Sequence, residues 1–110
     1  MKKELIVTDN REFNNIIGDR FIWKNNYFII YIRKRRLNHS RFGIAVGKKL
    51  GNAVIRNKLK RQIRNLIVDN IFLFPKDYDY IIMVKKQCLS DGYQIMKESL
   101  INLLKEKEQK

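Results

Sequence analysis

A single α+β domain, an open sheet packed with helices, is the fold this sequence predicts, and two kinds of periodicity predict it. Residues 26–33 and 41–48 alternate with the period of two that half-buried strands show, whereas Ala53 to Asn70 and the segment after Ser90 place apolar residues three and four apart, as amphipathic helices do. The length agrees: 110 residues with 45% hydrophobic side chains suit one domain of the usual roughly 100–150 residues. No internal repeat or Gly/Ser/Pro-rich linker divides the chain.

The elements follow in order. Asp9 with Glu12 reads as a capping box, Phe13, Ile16 and Ile17 form a short apolar stripe, and Gly18 is a C-terminal stop, which predicts a first helix. From Asn26 to Arg33 a strand places Phe28, Ile30 and Ile32 on a core face and Tyr27, Ile29, Tyr31 and Arg33 on an aromatic-basic face. A basic turn, Lys34 to Ser40, leads to a second strand from Arg41 to Lys48, with Phe42, Ile44 and Val46 on a greasy face and Gly43, Ala45 and Gly47 on a nearly bare one. Asn52 is a good N-cap for a helix from about Ala53 to Asn70, whose apolar row is Ile55, Leu59, Ile63 and Leu66. Lys76 to Lys86 is a strand apolar enough to be buried on both faces. A last helix near Ser90 sets Tyr93, Met96, Leu100, Leu103 and Leu104 on one side.

Charge is segregated along this framework. Arg20 to Val68 holds fourteen of the 24 Lys and Arg residues and none of the eleven Asp and Glu, and the formal net charge is +13. Such a stretch calls for a polyanion, and phosphate backbones are the commonest, because neutralising them releases counterions. A basic membrane-surface segment would instead be an uninterrupted amphipathic helix, and much of this stretch alternates like sheet. One cysteine, Cys88, excludes an internal disulfide framework and fits a reducing compartment. MKKELIVTDN lacks the apolar region of a signal peptide, and no apolar run approaches the roughly 20 residues of a bilayer span. The expected location is the cytoplasm.

The central helix carries the most chemistry. Arg56, Lys60 and Arg64 line up at spacings of four, with Asn57 and Arg61 in a second row beside them. No acid precedes Asp69 on this helix, so the like charges repel without the compensation that a solvated surface helix normally has. Binding explains that pattern better than stability does, and arginine's planar fork suits phosphate. The turn before it, Gly47 to Asn52, puts Lys48 and Lys49 at a helix N-terminus, where free N–H groups favour anions. The pattern of a nucleoside-triphosphate P-loop is absent.

The run RFGIAVGKKLGNAVIRNKLKRQIRNLI, Arg41 to Ile67, closely resembles the signature segment of the bacterial ribonuclease P protein subunit. Lys48, Lys49, Gly51, Asn52, Ala53, Val54, Arg56, Asn57, Lys60, Arg61 and Arg64 match the family pattern, and the likeness extends over nearly the whole chain. Two positions depart from it: Lys58 stands where the family's Arg-Asn-Arg triplet has its second Arg, which keeps the charge without the guanidinium fork, and Ile17 stands where the family often has a second Phe.

The resemblance implies the fold of the second domain of ribosomal protein S5, in the order α-β-β-(β)-α-β-α. Its β-α-β crossover is left-handed, against the hand that general statistics favour. It also implies an accessory subunit of a ribonucleoprotein endoribonuclease that removes the 5′ leader of precursor tRNA, with hydrolysis carried by the RNA and by Mg²⁺ bound mainly by that RNA. The expected partners are one ribonuclease P RNA, in a one-to-one complex, and precursor tRNA. Lys48, Lys49, Asn52, Arg56, Asn57, Lys58, Lys60, Arg61 and Arg64 are the expected contacts to the catalytic RNA. Phe13, Ile17, Tyr27, Tyr31, Arg33, Gly43 and Ala45 are the expected leader cleft. Read from the residues alone, Tyr27, Tyr31 and Arg33 offer the aromatic, basic face that a single strand needs, and Gly43, Ala45 and Gly47 leave room for a nucleotide to lie flat.

No protein-borne catalytic set stands out. His39 is the only histidine and lies in a basic loop, and Cys88 lacks metal-ligand or redox spacing. Asp77, Asp79 and Asp91 flank the last strand outside the basic stretch; a protein-only metal-dependent nuclease would need them to converge. Such a protein-only nuclease is the second reading of the sequence, and a non-catalytic ribosomal or regulatory RNA-binding module is the third.

Overall fold

A four-stranded mixed sheet in the order β1-β2-β4-β3 organises the chain, and the computed structural model describes residues 5–7, 10–18 and 21–108. The elements are α1 (Asn10–Gly18), β1 (Ile22–Lys24), β2 (Phe28–Lys34), β3 (Phe42–Ala45), α2 (Ala53–Asp69), β4 (Tyr78–Val84) and α3 (Gln87–Glu108). Each predicted helix and strand is present, and the optional third strand before the central helix is the short β1. The expected helix cap at Asp9 lies outside the described residues.

β1 and β2 pair antiparallel, β2 and β4 pair antiparallel, and β3 runs parallel to β4 through the crossover helix α2. β4 is therefore central, and Tyr80, Ile81 and Ile82 are all fully buried, which is why its sequence shows no alternation. β2 does alternate: Phe28, Ile30 and Ile32 are fully buried on the main face, where α2 and α3 supply Leu59, Ile63, Leu66, Leu100 and Leu104. Trp23 of β1 joins this core beside Tyr80, with ring centroids 6.0 Å apart. The opposite face carries a smaller cluster of Val7, Ile16 and Ile81, against which Phe13, Ile17, Tyr31 and Ala45 pack.

Three sequence expectations need correction. Ile55 does not join the helix row buried in the core; it is 39% exposed because the first turn of α2 stands clear of the sheet, and its side chain covers Gly51 instead. Ile67 is buried in its place. Tyr93 is 40% exposed, because Gly92 adopts φ 84° and ψ 175° and breaks α3 into two segments across a kink, so the helical row holds only from Met96 onward. Gly43 does not lie open: a Cβ there would meet Ile81 Cδ1 at 2.5 Å and Phe13 Cε2 at 3.0 Å, so the chain's own Phe13 occupies the space above it.

Candidate nucleic-acid interface

The signature turn folds as its sequence requires. Lys48 to Leu50 form one 3-10 turn that exposes Lys48 and Lys49 and packs Leu50 on the core, and Gly51 follows at φ 153°, a conformation that side chains rarely adopt. The Asn52 side chain then accepts the Ile55 N–H at 3.0 Å, capping α2 as predicted. Asn52, Asn57, Lys58, Arg61 and Arg64 are exposed, with Arg56 and Lys60 half-buried. The Nε of Arg56 is buried without a hydrogen-bond partner among the described residues.

Lys60 and Arg64 line a groove of about 150 Å³ together with Phe13 of α1 and Ile6, Val7, Phe42 and Ile44. Ile6 bridges to Phe42 alongside β3, and the Val7 N–H donates to the Phe42 carbonyl at 2.9 Å, so the segment before α1 closes one wall. One row of α2 cations and the α1 aromatic thus meet in a single cleft at the edge of β3. Ile6 and Val7 escape sequence reasoning, because their only trace there is the short apolar run Leu5 to Val7.

Five of the expected leader residues gather on the α1 face: Phe13, Ile17, Tyr31 and Ala45 pack on the Ile81 cluster, with Gly43 beneath Phe13. Arg33 lies two residues beyond Tyr31 on the same face of β2 and pairs in register with Asp79. Asp79 is completely buried and accepts from the Arg41 backbone N–H at 2.9 Å and its guanidinium at 3.0 Å. Tyr27 is placed apart from this group. Its ring packs against the main core and its hydroxyl donates to Asp91 of α3, because it precedes β2, where the chain is tied by Lys85 N–H to the Tyr27 carbonyl. The hydrogen bond raises the Tyr27 pKa and, with a second from Gln87, holds Asp91 below the usual carboxylate value.

The candidate catalytic side chains do not assemble. Asp79 is engaged by Arg41, Asp77 precedes β4, and Asp91 lies beyond its far end on α3. Among the described residues no group of three or more His, Cys, Asp or Glu converges to hold a metal ion, so these side chains do not fit a Mg²⁺ site. Cys88 is buried, and burial pushes its thiol up to about 11. Among the described residues no helix is long and apolar enough to cross a membrane.

A sequence model of the family described as Ribonuclease P matches residues 1–108. The ribonuclease P protein component of Mycoplasma mycoides is 43% identical over 107 residues, covering 96% of this chain and 98% of its own. The solved ribonuclease P protein of Thermotoga maritima superposes with a TM-score of 0.81 at 33% identity, covering 91% of this chain and 94% of that one. The corresponding protein of Staphylococcus aureus superposes at 0.83 and 30%, covering 92% and 93%. With the signature turn, the cationic helix and the mixed sheet all in place, the chain belongs to the ribonuclease P protein family, the protein subunits of a tRNA-processing ribonucleoprotein.

Proposed function

We propose that this chain binds a catalytic RNA through the signature turn and α2 and holds the 5′ leader of precursor tRNA in the cleft between α1 and the sheet. The observation that carries this reading is the groove in which Lys60 and Arg64 face Phe13, with Tyr31 on the adjoining surface. A single strand is held by a cationic track for its phosphates and aromatic faces for its bases, and both are supplied here by elements that meet only on folding. Arg56 and the exposed Lys48, Lys49, Lys58 and Arg61 extend the cationic surface toward the RNA subunit, with the exposed Asn57 amide among them. The described side chains gather no metal cage, and in this reading Mg²⁺ and the hydrolytic step belong to the RNA, in a complex of one protein with one RNA.

The test is a difference measurement on reconstituted holoenzyme. Tyr31→Ala is expected to weaken precursor tRNA binding by roughly 5-fold to 150-fold, the range that loss of one aromatic stack spans. Mature tRNA has no leader, so its affinity is expected to stay near that of the wild type. Equal weakening of both would place Tyr31 in the core or in the interface with the catalytic RNA and remove it from the cleft.

A further inference from the structure

At the end of the sheet remote from the signature turn, aromatic rings and cations form a second surface. β3 and β4 run parallel, so Tyr78, at the start of β4, lies at the opposite end from the Lys48–Asn52 turn that follows β3. After α2 a 3-10 turn, Ile71–Leu73, is anchored by buried Leu73 and Phe74, yet it holds Phe72 out at 71% exposure. Phe72 is the wall between two grooves. The larger, about 720 Å³, runs past Phe21, Trp23, Lys76, Tyr78 and Lys107, and the smaller, about 380 Å³, past Arg35, Phe74 and Lys76. Phe21 is 56% exposed on the far rim.

We propose that Phe21, Phe72 and Tyr78, with Arg35, Lys76 and Lys107, form a second binding surface for single-stranded RNA, separate from the α1 cleft. The interleaving of rings with cations decides the occupant. Rings alone would suit any apolar partner, whereas rings between cations offer stacking faces within reach of a phosphate chain. Among the described residues Asp77 is the one acid lining these grooves; Glu106 stands 4.0 Å from Lys107, and the balance remains positive. The Arg35 guanidinium is braced across the smaller groove by donating to the Lys76 carbonyl at 2.9 Å, which orders the rim in advance. A second copy of the chain is a poor occupant, because two molecules of charge +13 repel.

The full chain is titrated with hexaadenylate while Trp23 emission and backbone amide shifts are followed. Trp23 is the only tryptophan and lines the larger groove, so its emission reports on this end of the molecule. Shifts are expected at Phe21, Phe72 and Lys76. Phe72→Ala is expected to weaken that phase at least about 5-fold, Phe72→Tyr to retain it, and Phe72→Leu to fail although it stays apolar. Melting curves verify that each variant is folded, as substitution at so exposed a position should allow. The surface is overturned if the oligonucleotide moves no amides here, if Leu serves as well as Tyr, or if sedimentation shows a self-association that Phe72→Ala abolishes. Because Tyr31 and α2 are untouched, loss of the Phe72 phase and failure of the leader cleft are read independently.

Discussion

Tyr27 and Tyr31 illustrate how far apart two side chains of one strand face can end. Tyr31 packs on the α1 side of the sheet, while Tyr27, just before the start of β2, turns to Asp91 and the main core. The Tyr27 hydroxyl lowers the Asp91 pKa, so Tyr27→Phe should return that carboxyl toward the ordinary 3.8, as read by NMR titration of its side-chain carbon. The sign follows from linkage: a carboxylate held low in the folded state contributes stability above its unfolded value and loses it as pH falls through the lowered one. The melting difference between wild type and Tyr27→Phe should therefore be full at neutral pH and narrow in acid. A difference that persists unchanged at low pH would mean that ring packing, not the charged hydrogen bond, is what Tyr27 contributes. Gly43 is small because Phe13 and Ile81 already fill the space above it.

At the scale of elements, α2 does two jobs with opposite faces. Leu59, Ile63, Leu66 and Ile67 bury against the sheet, and the other side presents cations with no acid before Asp69. Replacing Arg56, Lys60 and Arg64 together by Ala should reduce the magnitude of the salt slope for RNA binding by roughly one for each phosphate that is no longer neutralised. Circular dichroism should show the helix retained, since Ala is a strong helix former and like-charge repulsion is removed. Filter binding across a salt series measures the slope; an unchanged slope would take this face out of the RNA interface. Two of the three residues also line the Phe13 groove, so the variant should weaken leader-dependent binding along with the grip on the RNA subunit.

The whole molecule is a cationic platform with a small sheet as its frame, and its acids are spread too thinly to build a metal site among the described residues. Purified protein with Mg²⁺ should leave precursor tRNA intact, and addition of a ribonuclease P RNA should restore cleavage at the leader junction. Denaturing gels resolve the two outcomes directly, and cleavage by RNA-free protein would return the reaction to protein side chains. The same comparison run at rising salt should show affinity falling steeply, as expected for a chain of net charge +13.

Local properties were legible in the sequence because they depend on neighbours a few residues away. The segregated charge, the Asn52 cap, the alternating face of β2 and the cationic rows of α2 all follow from spacing along one strand or one helix turn, and the signature run from Arg41 to Ile67 pointed to the family. Tertiary structure decided what those faces meet. That Phe13 covers Gly43, that Lys60 and Arg64 share its groove, that Tyr27 leaves the cleft for Asp91, and that Phe21 and Phe72 border one surface are all pairings between segments distant in the chain. A periodicity states which side chains share a face; it does not state which other element will cover that face. That choice is made by the strand order, with β4 inserted between β2 and β3, and by the burial of apolar surface on both sides of the sheet, which drives α1 and α2 onto opposite faces and leaves the cleft at the β3 edge between them.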